Sequence, residues 1–127
     1  MRSAKENLNN LKIITFIGMM GTGKSKFGHL VADNLSYNFY DIDILIEKDQ
    51  KNTIKNIFNE KGETFFRKIE KDKIKNLVGD IIKKEENAIL SLGGGAFDDT
   101  ETREILIENT FVIWLNTPID ILTKRVG

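Results

Sequence analysis

The chain has 127 residues, which is the size of one domain, and 40% of them are apolar, which is enough for a core. Its 19 basic and 19 acidic residues cancel, which argues against a protein that binds nucleic acid or an anionic membrane. There is no cysteine, so disulfides and thiolate metal sites are excluded. We expect a soluble, cytoplasmic, monomeric single domain whose residues 1–10 are poorly ordered.

The first predicted elements enclose a glycine-rich octet. A strand is predicted near residues 12–17, and its near-continuous apolar character is typical of a parallel sheet covered on both faces. A helix is predicted from Lys24 to Leu35, because its apolar residues recur at helical spacing. The octet Gly18–Ser25, GMMGTGKS, lies at their junction and matches G-x-x-x-x-G-K-[ST], the phosphate-binding P-loop.

Each residue type of this octet has a use in phosphate binding. Gly18, Gly21 and Gly23 allow backbone conformations that turn successive N–H groups toward a phosphate. The N-terminus of the helix that follows also favours an anion. Lys24 can reach the β- and γ-phosphates, and the hydroxyl of Ser25 suits Mg²⁺. The octet therefore predicts a site for a nucleoside triphosphate with its magnesium ion.

Two aspartates end the next predicted strand, which spans residues 37–43. Alternation along a strand puts Phe39, Asp41 and Asp43 on one face. Because ligands of open α/β sheets bind beyond the carboxyl ends of the strands, we interpret both carboxylates as ligand-binding groups. The alternative is that Asp41 caps the next helix and that Asp43 is solvated.

Two helices are predicted next, separated by Gly62. Thr53 is a candidate N-cap for the first helix, and Gly62 is a candidate C′ residue that ends it. The second helix has an apolar stripe that is formed by Phe66, Ile69, Ile74, Leu77, Val78 and Ile81. We expect the alternating charges at residues 68–75 to form a solvated face, and the lone His29 of the helix at residues 24–35 to be solvated too.

Three glycines, Gly93–Gly95, directly follow a strand that is predicted at residues 88–92. Because glycine is entropically costly to order, we interpret the triplet as a place where the backbone closely approaches a ligand; the alternative is a flexible turn. A helix that starts at residues 98–101, a strand at residues 110–115 and a helix that begins at Pro118 complete the pattern. This order predicts a parallel sheet with helices on both faces.

Four motifs in this order resemble those of the shikimate kinase family. They are the P-loop, the aspartate pair Asp41-Ile42-Asp43, GETFFR at residues 62–67 and SLGGG at residues 91–95. The P-loop alone is generic, whereas the set is specific, and the resemblance covers nearly the whole chain. It implies a three-layer α/β/α P-loop kinase fold with a parallel sheet, incomplete at the C-terminus. The implied activity is ATP-dependent phosphorylation of the 3-hydroxyl of shikimate in aromatic amino-acid (chorismate) biosynthesis.

The resemblance also implies roles for particular residues. Lys24 and Asp41 are the implied catalytic residues, and Ser25 and Asp41 are the implied Mg²⁺ ligands. Asp43 is expected to bind shikimate hydroxyls, and Arg67 is expected to bind the shikimate carboxylate. A planar guanidinium suits a carboxylate, and an aspartate can orient a hydroxyl nucleophile. The implied nucleotide contacts are Gly21, Thr22, Gly23, Lys24, Ser25, Lys26 and Arg125, and the further substrate contacts are Gly93, Gly94 and Gly95.

The sequence departs from the family pattern after Gly127. Family members continue into a mobile lid with an arginine, a second arginine for the shikimate carboxylate, and a final strand and helix. A lid excludes water and completes the charge stabilisation. Two alternatives remain open: a related sugar-acid kinase of the gluconate type, and a nucleotide-binding domain that is catalytically impaired because the lid is absent.

Overall fold

The computed structural model describes residues 12–18 and 24–115, with the backbone alone at residues 24 and 25. The elements in chain order are β1 (Ile13–Gly18), α1 (Lys24–Leu35), β2 (Asn38–Asp41), α2 (Ile42–Gln50), α3 (Ile54–Lys84), β3 (Ala88–Gly93), a 3₁₀ helix that we call the glycine turn (Gly94–Asp98), α4 (Thr100–Asn109) and β4 (Phe111–Leu115). The helix predicted from Pro118 and the segment at residues 1–10 lie outside this description.

The four strands are parallel and lie in the order β2-β3-β1-β4. In their shared register Asp41 lies beside Ser91, which lies beside Phe16 of β1. Parallel strands in register end at the same edge of the sheet, which we call the carboxyl edge. The segments that follow the strands therefore start together at this edge, with α2 after β2 and the glycine turn after β3.

Helices cover both faces of this sheet, which gives three layers. One face packs against α1 in a small cluster of buried residues: Phe16, Ala32, Ile89 and Leu115. The other face packs against α2, α3 and α4 in a larger core that includes Ile17, Ile42, Ile74, Leu90, Leu92 and Leu106. The first five residues of β3 are all buried, as expected for a strand with two neighbours and two covered faces. The prediction of a three-layer parallel α/β fold is confirmed.

The second strand is shorter than predicted, and this changes the place of the aspartate pair. Strand β2 ends at Asp41, and Ile42 already begins α2. Ile42 and Ile46 are both buried, which is the four-residue spacing of a helix that faces the core. Asp41 is the N-cap, and its Oδ1 accepts a hydrogen bond from the backbone N–H of Ile44 at 3.2 Å. The cap at Asp41 is therefore confirmed, the ligand-binding role of Asp41 stays a prediction, and the strand assignment of Asp43 was wrong.

Gly62 interrupts the helical backbone of α3, as the sequence predicts. Its φ of 86° and ψ of 169° are non-helical, and glycine adopts them far more readily than other residues. The segment before it starts at the predicted cap, where Thr53 Oγ1 accepts a hydrogen bond from the N–H of Asn56 at 3.1 Å. The segment after it carries Phe66 and Arg67.

His29 is exposed, as expected, and its ring also stacks on Phe39 with 3.9 Å between the ring centroids. No described helix is both long and apolar enough to cross a lipid bilayer.

Substitution of alanine for two glycines of α3 should have opposite effects on stability. An added Cβ meets nothing within 4 Å at either Gly62 or Gly79, so only the backbone conformation distinguishes them. Gly62→Ala should lower the free energy of unfolding by about 1–3 kcal/mol, because alanine is strained at a φ of 86°. Gly79→Ala should raise it by about 1 kcal/mol, because alanine favours a helix interior. Urea unfolding measures both changes, and a stabilised Gly62→Ala protein would contradict the break.

Candidate active site

The carboxyl edge gathers the predicted site residues that the structure describes. Asp41 lies at the end of β2, Asp43 lies in the first turn of α2, and Gly93 is the last residue of β3. Helix α1 starts at Lys24 after β1, so its N-terminus also belongs to the segments that follow the strands. Lys26 is exposed near the start of the same helix. Gly21, Thr22, Gly23 and Arg125, and the side chains of Lys24 and Ser25, lie outside the described part.

An ion pair on α3 faces this edge. Arg67 Nη1 donates a hydrogen bond to Glu70 Oε1 at 2.8 Å, and Arg67 Nε lies 3.7 Å from Glu63 Oε1. The guanidinium carbon also lies 5.8 Å from the ring centroid of Phe58 and 5.3 Å from that of Phe66. Glu70 is almost fully buried, at 3% exposure, whereas the Arg67 side chain is 34% exposed. Glu70 therefore fixes the guanidinium on its buried side, and part of the Arg67 side chain stays accessible to solvent.

The protein raises the pKa of both members of the pair, but for different reasons. Burial raises the pKa of Glu70, and this outweighs the lowering effect of the hydrogen bond and charge of Arg67. The charges of Asp43 and Asp99 raise the pKa of Glu70 further. Burial lowers the pKa of Arg67, but the hydrogen bond that Arg67 donates to Glu70 and nearby acidic charges raise that pKa above its ordinary value. The guanidinium therefore stays charged, whereas ionisation of the buried Glu70 carboxyl costs free energy.

The glycine turn touches this guanidinium directly. A Cβ added to Gly95 would lie 2.8 Å from Cζ and 2.9 Å from Nη1 of Arg67, closer than real contacts of this kind. The φ angle of Gly95 is not positive, so a side chain here would disturb the contact with Arg67 and not the backbone conformation. Gly94 lies against Trp114 instead, and an added Cβ at Gly93 meets nothing within 4 Å. The close approach at Gly95 is therefore to Arg67, and the approach to a ligand that the triplet predicts stays a prediction.

Two buried polar residues at this edge were not singled out as functional from the sequence. Glu70 belongs to residues 68–75, for which a solvated face was predicted, and for Glu70 this prediction was wrong. Its spacing of four from both Phe66 and Ile74 places it in the buried stripe and was the available signal. Ser91 is fully buried beside Asp41 in the register, and its Oγ has no hydrogen-bond partner among the described residues.

An open cleft of about 420 Å³ lies on the outer side of Arg67. Its lining combines charged and polar residues of α3 with the cap of α4: Glu63, Thr64, Arg67, Lys68, Lys71 and Asp99. A larger cleft of about 530 Å³ lies at the opposite edge, where Lys12 and Phe111 mark the start of β1 and β4. We assign the site to the carboxyl edge, because ligands of open α/β sheets bind where the strands end.

The donor chemistry at the carboxyl edge fits magnesium held together with a phosphate. No group of three or more His, Cys, Asp or Glu in the described part is placed to hold a metal ion by itself. Mg²⁺ in phosphate sites commonly uses one or two protein oxygens together with phosphate oxygens and water. Asp41 at the end of β2 and Ser25 at the start of α1 supply such hard oxygen donors by residue type.

Replacement of Glu70 by its neutral isostere should change how stability depends on pH. A carboxyl whose pKa is raised in the folded state lowers the free energy of unfolding only where it ionises. This loss is absent below the unfolded pKa and complete above the folded pKa. The free energy of unfolding of Glu70→Gln relative to wild type should therefore increase as the pH rises through the pKa of Glu70, and then level off. Chemical denaturation between about pH 4 and pH 8 measures this difference.

The matched control for this prediction is Glu63→Gln, which removes a charge near the same guanidinium. The Glu63 side chain is 71% exposed, so its replacement relieves little burial of charge. A relative stability of Glu70→Gln that falls with rising pH would mean that the attraction of Arg67 outweighs the burial of Glu70, contrary to this account.

Comparison with known proteins assigns these features to one family. The sequence profile described as "Shikimate kinase" matches residues 20–127. The shikimate kinase of Persephonella marina is 42% identical over 91% of this chain and 67% of its own length, and that of Bacillus subtilis is 47% identical over 81% of this chain and 53% of its own length. The chain therefore spans roughly half to two thirds of the curated relatives that it matches.

Solved structures agree with the sequence comparison. A shikimate kinase from Acinetobacter baumannii, solved in complex with shikimate, superposes with a TM-score of 0.77 and 31% identity, over 95% of this chain and 65% of that one. The enzyme from Aquifex aeolicus superposes with a TM-score of 0.73 and 32% identity, over 87% of this chain and 62% of that one. On its sequence and its fold together, the chain belongs to the shikimate kinase family.

Proposed function

We propose that this chain acts in the transfer of the γ-phosphoryl group of ATP to the 3-hydroxyl of shikimate. The observation that carries the proposal is the position of the Arg67 guanidinium at the carboxyl edge. Its Nη1 donates a hydrogen bond of 2.8 Å to Glu70 Oε1, and the backbone of Gly95 lies against it. A fixed, partly exposed guanidinium matches a planar carboxylate, and shikimate carries both a carboxylate and hydroxyl groups. The related structure from Acinetobacter baumannii was solved with shikimate, which supports the same substrate here.

The proposed nucleotide site is the P-loop with the start of α1. The glycine-rich sequence of residues 18–25 and the N-terminus of α1 are proposed to bind the phosphates, and Lys24 is the proposed catalytic contact of the transferring group. Ser25 and Asp41 are the proposed magnesium ligands. A bound magnesium ion would neutralise charge on the phosphates. Lys26 and Arg125 are proposed as further nucleotide contacts.

The proposed acceptor site lies beside the ion pair. Asp43 is one of the charges that raise the pKa of buried Glu70, so it lies within electrostatic reach of the pair. From the first turn of α2 its carboxylate can accept a hydrogen bond from the 3-hydroxyl and orient that oxygen toward the γ-phosphorus. The transfer forms the bond from this oxygen to phosphorus, breaks the bond from phosphorus to the bridging oxygen and releases ADP, while the hydroxyl proton passes by way of Asp43 to solvent. The backbone of Gly93, Gly94 and Gly95 is the proposed further substrate contact.

We propose that the protein is a cytoplasmic monomer that binds small molecules. Its zero net charge is in keeping with the absence of a nucleic-acid or membrane partner.

The family assignment favours shikimate over a sugar acid such as gluconate. ADP release that depends on shikimate and not on gluconate is the expected result. Binding of both ligands without ADP release would instead favour the catalytically impaired alternative.

Substitutions on the two sides of the site should separate nucleotide binding from shikimate binding. Lys24→Ala should weaken ATP binding and leave shikimate binding nearly unchanged. Arg67→Ala and Asp43→Asn should do the reverse, and loss of the charge-assisted bonds of Arg67 should cost about 1.5–3 kcal/mol, or about 10- to 150-fold in affinity. Isothermal titration calorimetry with each ligand measures both affinities.

Lys68→Ala is the control for Arg67→Ala, because Lys68 is the next residue on α3 and is exposed. It removes a positive charge from the neighbouring position of α3 and should leave the affinities for ATP and shikimate nearly unchanged. If Arg67→Ala and Asp43→Asn reduced the affinities for ATP and shikimate equally, the division of roles proposed here would be wrong.

A further inference from the structure

Lys71 connects α3 to the start of α4. It lies one helical turn beyond Arg67, and its Nζ is 3.8 Å from Asp99 Oδ1 and 3.3 Å from Glu101 Oε2. Its side chain is 30% exposed, so the ammonium group is partly shielded from water. Lys75 lies one turn further along, and among the described residues its ion pair is with Glu101, at 3.7 Å; its side chain is 62% exposed.

Asp99 links this ion pair to the end of the glycine turn. Its Oδ2 accepts hydrogen bonds from Thr102 N at 2.9 Å and Thr102 Oγ1 at 3.1 Å, which caps α4, while Oδ1 faces Lys71. The hydrogen bond from the Thr102 N–H is the main cause of the lowered pKa of Asp99, and the charge of Lys71 lowers that pKa further. Because Asp99 follows the last residue of the turn, Lys71 acts on the junction between the turn and α4.

The glycine turn is joined to α4 by a second contact. Arg103 Nη1 donates a hydrogen bond to the backbone oxygen of Phe97 at 3.3 Å, and its guanidinium carbon lies 6.0 Å from the centroid of the Phe97 ring. The turn and the first half of α4 are therefore bound together at both Phe97 and Asp99.

Helix α3 thus contacts this unit at two points that are one helical turn apart. Arg67 touches Gly95, and Lys71 pairs with Asp99 and Glu101. We propose that Lys71 is a positioning residue, which fixes the glycine turn at the separation from Arg67 that one substrate carboxylate requires. This inference rests on the proposed function, because it assigns the glycine backbone and the guanidinium to the same ligand. Lys71 itself is not assigned a contact with the substrate.

The ion pairs of Lys71 are partly exposed, so their effect on binding is expected to be modest. Pairs of this kind contribute about 0.2–1 kcal/mol, which corresponds to about a 1.4- to 5-fold change in affinity. Lys71→Met keeps much of the apolar stem and removes the charge, and it should lower shikimate affinity by about two- to fivefold. ATP affinity should not change, because the described ion pairs of Lys71 are with Asp99 and Glu101 at the start of α4. Lys71→Arg should restore shikimate affinity.

Trp114 gives an independent measure of where the glycine turn lies. It is the only tryptophan in the sequence, and its ring lies 3.5 Å from the position of an added Cβ on Gly94. It also packs edge-on against Phe97, with 5.5 Å between the ring centroids. Displacement of the turn should therefore change the fluorescence of Trp114 and its quenching by acrylamide. This measurement requires no substrate.

The experiment compares Lys71→Met, Lys71→Arg and the control Lys75→Met by calorimetry with shikimate and ATP and by Trp114 quenching. The proposal expects weaker shikimate binding and altered quenching for Lys71→Met alone. Unchanged quenching and unchanged shikimate affinity in Lys71→Met would overturn it, as would equal effects of Lys75→Met. If the wild-type protein did not bind shikimate, the proposed function would fail separately, and altered quenching would still support positioning of the turn by Lys71.

Discussion

The guanidinium of Arg67 fills the volume that a side chain at position 95 would need, and the arrangement of the carboxyl edge depends on this contact. With 2.8 Å between Cζ and the position of an added Cβ, a side chain at position 95 would require the guanidinium to move. The contact links the segment after β3 to α3, two elements that are separated along the chain. Glu70 holds the same guanidinium at 2.8 Å on its buried side. The turn, the arginine and the carboxylate therefore form one unit.

This unit is maintained at a cost in stability. Glu70 is 3% exposed, and its raised pKa shows that its burial outweighs the attraction of Arg67. A well-packed apolar pair in the same volume is often as stable or more stable. The pair is therefore better explained by the need for an oriented guanidinium than by its contribution to folding. An arginine that is fixed in advance loses less conformational entropy when it binds a carboxylate.

The sequence predicted the elements well where one physical signal dominated. The buried strands and the break at Gly62 were predicted correctly, because apolar runs and a helix-breaking glycine act locally. The end of β2 was predicted wrongly, because a strand of four residues is too short to show its period before Ile42 and Ile46 start a helix. Glu70 was assigned to the solvent because its charged neighbours suggested an exposed face. Its burial depends on the packing of α3 as a whole.

The partner of Gly95 could not be predicted, because it depends on the distance between α3 and the glycine turn. Sequence alone indicated that a backbone without Cβ was needed after β3, and tertiary packing supplied the guanidinium as the neighbour. The same holds for Lys71, whose partners Asp99 and Glu101 lie on another helix. Local patterns therefore identified the segments of the site, whereas the contacts between segments required the fold.

We propose that Arg67, which is held by Glu70 and touches Gly95, binds the carboxylate of the substrate. A crystal structure of the protein with shikimate and ADP tests it most directly. The account predicts a shikimate carboxylate oxygen about 2.9 Å from an Arg67 guanidinium nitrogen, with the bond from Arg67 to Glu70 retained. A carboxylate bound by Lys68 or Lys71 in the outer cleft, without contact to Arg67, would contradict it.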